Sequence, residues 1–379
     1  MRNISILLAL VATTTLLAAG VAVTQVPESR ASNHYIIVLD DDVDSPSHVA
    51  NRIARRQNLE VGFVYSNALN GFSATIPEGR LAAVRSNPRV DYVEPDKTMH
   101  AAAQTLPWGI NKIDADVSST LAGNGSGSIS NVNAYIIDSG IYRHTDLNVV
   151  KHVNFTGDGK NTDCYGHGTH VAGTVAAKDN ARAVVGVAPG APLTGVKVLD
   201  CYGDGYRSMI LKGVDWVTAN AKKPAIANMS LSGGASRTLD DAVRKSAASG
   251  VFYSLAAGNN GANACNYSPA RAGAGTNNGI ATVGATSTSD GATSSSNYGA
   301  CVDIWAPGAR ILSTRKGGGT TTKSGTSMAA PHVGGGGALY LSSHTSASPT
   351  TVESKLTSSA TTTGTKNNYP ILREYVGGF

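Results

Sequence analysis

Residues 133–138 read NAYIID, and the run of sequence that begins there decides the architecture. It is followed by THVAGTVAAK (169–178), LTGVKVLD (193–200), MILKGVDWVTANA (209–221), AIANMSLS (225–232), LDDAVRKSAASG (239–250), GVFYSLAAG (250–258) and IATVGAT (280–286). NAYIID, LTGVKVLD, AIANMSLS, GVFYSLAAG and IATVGAT are short apolar runs of strand length, as in strands covered on both faces. The stretches between or beside them have helical spacing. This alternation predicts an α/β domain of three α/β/α layers, with a mainly parallel central sheet covered by helices on both faces. Functional side chains of such a domain gather at the carboxyl ends of the strands.

Working outward, the composition changes near residue 100. From Pro27 to His100 there are 8 basic and 10 acidic residues and no cysteine; from Ala101 to Phe379 there are 22 basic and 16 acidic residues and all four cysteines. The earlier segment reads as a strand (HYIIVLDDD, 34–42), a helix (47–58), a strand pattern (FVYSNALNGFSATI, 63–76), a second helix (77–88) and a short strand (VDYVEP, 90–95). That strand–helix–strand–strand–helix–strand order is a small α+β unit of ferredoxin-like type. In front of it, Arg2, the apolar stretch Ile4 to Leu17 and the small residues Ala18, Gly20 and Ala22 make residues 1–25 a signal peptide. The threonines and the small-residue end favour a cleaved signal over a membrane anchor. The expected organisation is a signal peptide (1–25), an α+β domain (26–100) and an α/β domain (101–379), in a secreted protein with no stable membrane association.

Charged residues make up 15% of the chain, against roughly 25% in average soluble proteins, which argues against a coiled coil or long helical bundle. The net charge of +5 is scattered, with no dense Lys/Arg run, so a nucleic-acid partner has no support. Cys164, Cys201, Cys265 and Cys301 in an exported chain imply two disulfides. Spacing alone permits three pairings, and no CxxC cluster suggests zinc.

Five further residues stand out, in four short motifs. Asp138 ends a buried strand, His167 and His170 open a helix in DCYGHGTHVAG (163–173), Asn259 follows the strand in SLAAGNN (254–260), and Ser327 lies in SGTSMAAPHVGGGGALY (324–340) at a helix start. Each has an ordinary explanation when taken singly: a turn acid, satisfied polar histidines, a turn asparagine. Glycines beside His167 would let a substrate backbone come close. Pro331 fits only near a helix start. Together, the chain order Asp…His…Ser is that of the subtilisin-type triad and not of the chymotrypsin type.

IIDSGI (136–141), GHGTHVAG (166–173) and GTSMAAPH (325–332) resemble the three signature blocks of subtilisin-like serine proteases. PWGINKID (107–114), VKVLDCYGDG (196–205), ANMSLSGG (227–234), ACNYSPAR (264–271) and SNYGACVDIWAPG (296–308) are similar to the proteinase K branch, in particular its aqualysin-type secreted members. The resemblance implies a monomeric secreted serine endopeptidase of broad specificity, with apolar or aromatic preference before the scissile bond. It implies Ser327 as nucleophile, His167 as general base and Asp138 as its partner. Asn259 and the Ser327 N–H would form the oxyanion hole. Ser230, Leu231 and Ser232 would pair with substrate backbone, and Ala256, Ala257 and Gly258 would wall the primary pocket. It further implies the disulfides Cys164–Cys201 and Cys265–Cys301, and no cofactor for catalysis. Structural calcium would be held at Asp303. Residues 26–100 would be an inhibitory, self-processed propeptide whose end, Lys97 to His100, occupies the cleft.

The chain departs from the family pattern at Ser232, where glycine is usual, which narrows specificity. Gly334 to Gly337 replace alanine and larger residues, which lowers helix propensity. Ser295 replaces a phenylalanine, AGAGTNNG (272–279) is longer than usual, and Asn111 replaces an acidic calcium ligand. Other classes remain weaker: a non-catalytic peptide binder would not need all of Asp138, His167, Ser327 and Asn259. A polysaccharide hydrolase would need a flanking carboxylate pair, and no motif supplies one.

Overall fold

The computed structural model describes residues 33–77, 79–96, 104–275 and 277–379. The expected signal peptide (1–25) and the segment Lys97 to His100 lie outside the described residues. The chain divides into two compact units after residue 101.

In the first unit, β1 (His34–Leu39), α1 (Pro46–Gln57), β2 (Glu60–Tyr65), β3 (Gly71–Thr75), α2 (Leu81–Arg85) and β4 (Val90–Pro95) follow one another. The strands form one antiparallel sheet in the order β2-β3-β1-β4. Helix α1 forms because Pro46 presets its first turn and Val49, Ala50, Ile53 and Ala54 recur on one buried face. It stops at Asn58, whose φ of 56° is the left-handed conformation that asparagine tolerates.

The second unit contains α3 (Trp108–Lys112), β5 (Asn133–Asp138), β6 (Val149–Asn154), α4 (His167–Ala176), β7 (Leu193–Lys197), α5 (Arg207–Asn220) and β8 (Ala225–Met229). Then come β9 (Gly233–Gly234), α6 (Arg237–Ala248), β10 (Val251–Ala256), β11 (Tyr267–Ser268), β12 (Ile280–Thr286) and β13 (Ile304–Pro307). The chain ends with β14 (Ile311–Thr314), β15 (Thr320–Lys323), α7 (Thr326–Ser343), α8 (Pro349–Ser359), β16 (Thr361–Lys366) and β17 (Tyr369–Arg373).

Nine strands build the central sheet in the order β16-β17-β13-β12-β10-β8-β5-β7-β6. Every neighbouring pair is parallel except β16 with β17. The period of two along β5 separates the layers. Ile136 packs with Val171, Ile226 and Val333 against α4 and α7, whereas Tyr135 and Ile137 join Val196, Val214 and Val243 against α5 and α6. The three-layer expectation therefore holds. Strands β6, β16 and β17 escaped the periodicity because they lie towards the sheet edges and are mostly polar or half-exposed, and buried β13 escaped it because it is only four residues long and ends in a proline.

Helix α7 is apolar all round and runs through one layer. Its four glycines are closely packed. A Cβ on Gly334 would lie 2.7 Å from Ser254 Oγ, on Gly335 2.5 Å from Val187 Cβ and on Gly337 2.6 Å from Phe252 Cδ1. On Gly336 it would collide with Glu374 Oε1. The run reflects neighbours that occupy every Cβ position, not only a sacrifice of helix propensity.

Candidate active site

Asp138 is the last residue of β5 and is fully buried. His167 opens α4, and its Nδ1 lies 2.8 Å from Asp138 Oδ1 and 2.9 Å from Oδ2. Burial alone would pull the imidazole pKa down. The charge and hydrogen bond of Asp138 outweigh burial, and the pKa is raised above the usual 6.5. With Nδ1 so engaged, Nε2 is the nitrogen left for chemistry.

Ser327 is the second residue of α7 and lines the same cleft of about 620 Å³ as His167. Its hydroxyl donates to the Ser230 carbonyl at 3.1 Å. The Ser230 hydroxyl in turn donates to the Ser327 carbonyl at 2.8 Å. Pro331 explains this reciprocal pair: it lies four residues after Ser327 and has no N–H, so the Ser327 carbonyl lacks its helical partner. Ser230 supplies the missing donor, and Asn228 and Ser254 continue the buried chain behind it. Pro331 is thus tolerated well inside α7, not only at its start.

Asn259 lies at the cleft, where its Oδ1 accepts from the Thr326 N–H at 2.9 Å and from the Thr326 hydroxyl at 3.1 Å. That fixes the amide orientation and leaves the NH₂ group to donate. The Ser327 N–H belongs to the first turn of α7, ahead of the amides that find a carbonyl within the helix. Gly325, at φ 140°, starts the helix in a conformation that favours glycine.

Ser230, Leu231, Ser232 and Ala256 line the cleft, together with apolar Tyr165, Leu199 and Ile210. Ala257 and Gly258 are buried behind it, and the Gly258 N–H is spent on Thr326 Oγ1. His170 is structural: its Nε2 lies 3.0 Å and 3.2 Å from the carbonyls of Ile311 and Thr321. Burial lowers its pKa to about 4, so it is neutral. A Cβ on Gly168 would strike the Gly140 carbonyl, so close packing by itself requires this glycine.

Sequence reasoning missed two polar groups behind the site. Lys197 is fully buried beside the Asp138 strand end, and its ammonium donates to the carbonyls of Ser139 and Leu199 and pairs with Asp158 at 3.2 Å. Asp163, also buried, accepts hydrogen bonds around the start of α4. A polar residue just before a helix start is the one signal that pointed to it.

The Subtilase family model matches residues 32–377. The chain is a subtilase. It is 42% identical to the alkaline serine exoprotease A of Vibrio alginolyticus over 284 residues, 69% of this chain and 50% of that protein. It is 42% identical to the extracellular serine proteinase of Thermus sp. (strain Rt41A) over 275 residues, 68% of this chain and 62% of that one. This subtilase therefore spans between half and two thirds of the length of these two relatives. The crystal structure of a cold adapted subtilisin-like serine proteinase superposes with a TM-score of 0.63 at 40% identity, covering 72% of this chain and 98% of that one.

Two disulfides, Cys164–Cys201 and Cys265–Cys301, join Cα atoms 4.9 Å and 5.3 Å apart. Asp303 sits in a hollow shared with Asn277 and Glu353. Its Oδ2 accepts the Thr282 N–H at 2.8 Å. Burial, reinforced by the charge of Glu353, pushes its carboxyl well above the usual range. Both carboxyls offer the hard oxygens that calcium takes, although Glu353 already accepts the Asn277, Gly279 and Ile280 N–H groups. Among the described residues, no helix is long and apolar enough to cross a membrane.

Proposed function

We propose that this subtilase is a secreted serine endopeptidase that hydrolyses peptide bonds through Asp138, His167 and Ser327. The observation that carries the reading is the His167 imidazole held by both Asp138 oxygens in the cleft that Ser327 lines. As substrate arrives, the Ser327 hydroxyl turns from the Ser230 carbonyl towards His167 Nε2 and attacks the scissile carbonyl while the imidazole takes its proton. The Asn259 amide and the Ser327 N–H receive the developing oxyanion. His167 then protonates the leaving amine, and water repeats the sequence on the acyl-enzyme. Asp138 stabilises the imidazolium throughout, and the reaction draws on protein groups alone.

Extended substrate pairs with Ser230, Leu231 and Ser232 through its backbone, which gives broad specificity. Leu199, Ile210 and Ala256 in the otherwise polar lining favour apolar or aromatic side chains before the cleaved bond, within limits set by Ser232. Residues 26–100 act as an inhibitory propeptide removed by the protein itself. Asp303, with Glu353 beside it, holds a structural calcium ion. The mature protein works as a monomer.

The test is hydrolysis of an unfolded protein and of an apolar peptide amide by the purified chain beside Ser327→Ala, with processing followed by mass. Cleavage by the parent alone, with loss of residues up to about His100, is the expected result. A processed, folded parent that cleaves nothing would overturn the reading.

A further inference from the structure

Asp163 has no part in the steps above, yet it is among the most thoroughly engaged groups near them. Its carboxylate is 1% exposed. Among the described residues no lysine or arginine pairs with it; its charge is met by hydrogen-bond donors instead. Oδ1 accepts from the Ser139 hydroxyl at 3.0 Å, the Tyr165 N–H at 3.0 Å and the Gly166 N–H at 2.7 Å. Oδ2 accepts from the Thr169 N–H at 2.9 Å and the Thr169 hydroxyl at 2.5 Å. Ser139 directly follows Asp138, and its hydroxyl also accepts the Gly168 N–H at 2.9 Å. The amides at 166, 168 and 169 bracket His167, and they are first-turn groups with no helical acceptor of their own.

We propose that Asp163 is a positioning residue of the catalytic machinery. Its carboxylate clamps the first turn of α4, and with it the His167 imidazole, to the Ser139 hydroxyl at the end of the strand that carries Asp138. The proposal rests on the triad reading, since positioning has meaning only if His167 is the base. A misplacement of about 1 Å in such a constellation costs about 100-fold in rate. The carboxylate also adds negative charge near His167. The groups facing that imidazole are Asp138 from β5, Asp163 from the loop before α4, Lys323 from β15 and His170 from the next turn of α4. Asp138 and Asp163 favour the imidazolium, whereas Lys323 opposes it.

The test compares the parent, Asp163→Asn and Ser139→Ala on an apolar peptide amide across the pH range of the acid limb. Asp163→Asn should lower kcat by about 10- to 100-fold with KM within about twofold, the range expected for sub-ångström misalignment. It should also move the acid limb of kcat/KM to lower pH, because the neutral amide no longer supports the imidazolium. Ser139→Ala should lower kcat more modestly and leave the limb in place, since the charge remains. An Asp163→Asn enzyme with the parent's kcat, or one that loses activity only in proportion to its folded fraction with the limb unmoved, overturns the proposal. If Asp163→Asn does not fold, Ser139→Ala decides, and a parent-like kcat there overturns it. A parent that cleaves no peptide refutes the triad reading itself, a result distinct from an active parent with an indifferent Asp163.

Discussion

Replacing Gly336 by alanine should destabilise this subtilase, although helix propensity alone says the opposite. In a solvent-exposed helix interior the substitution would gain about 0.8–1 kcal/mol. In α7 the new Cβ would collide with Glu374 Oε1 and lie 3.0 Å from Val376 Cγ1 and 3.1 Å from Leu356 Cδ2. Glu374 is fully buried, among the described residues neither carboxyl oxygen has a hydrogen-bond partner, and burial pushes its pKa well up. It fills the room that a side chain at 336 would take. Overpacking of this kind costs about 1–3 kcal/mol. Set against the propensity gain, the net loss is roughly 0–2 kcal/mol, or up to about 8 °C in Tm for a domain of this size. With Glu374→Ala already in place the collision disappears, and Gly336→Ala should then stabilise. The assay is thermal unfolding of the four members of this double-mutant cycle in a Ser327→Ala background, which prevents self-digestion. A stabilising Gly336→Ala single variant, or additivity within about 0.5 kcal/mol, would refute the packing account.

Three other outcomes are expected. The acid limb of kcat/KM should have its midpoint above 6.5, because His167 must be neutral to act as base and Asp138 raises its pKa; a pH–rate profile with a midpoint below 6.5 contradicts this. Asn259→Ala should lower kcat by about 100- to 1,000-fold with little change in KM, the size of loss seen on removing one oxyanion donor from subtilisin itself; steady-state kinetics on a peptide amide checks it. Lys197→Met should cost about 3 kcal/mol, the low end for breaking a buried pair. Asp158 retains some contact with water, and Asp158→Asn should recover part of the loss in denaturant titrations.

The strands that carry the site were legible because they are buried on both faces. NAYIID and GVFYSLAAG read as central strands, and each ends at a proposed site residue or just before one. The outer strands were not legible: β16 is TTTGTK, whose polar side chains record solvent and not the ladder they join. Asp138, His167, Ser327 and Asn259 could be picked out since each stands at the end of an element in a short motif. Lys197 could not, and Asp163 had only its place before a helix start, because a buried charge is recognised by what surrounds it, and partners such as Ser139 and Asp158 come from distant parts of the chain.

The sequence by itself determined the periodicities, the Asp…His…Ser order and the family blocks, all of which are local properties of consecutive residues. The cysteine pairing was implied by those blocks alone, since spacing left three possibilities. Tertiary structure alone decided that Ser230 takes the place of the N–H missing at Pro331, and that four glycines in α7 are hemmed in by Ser254, Val187, Glu374 and Phe252. These are contacts between segments tens of residues apart. Side-chain volume and hydrogen-bond satisfaction are settled only when such segments meet, so no window of sequence contains them.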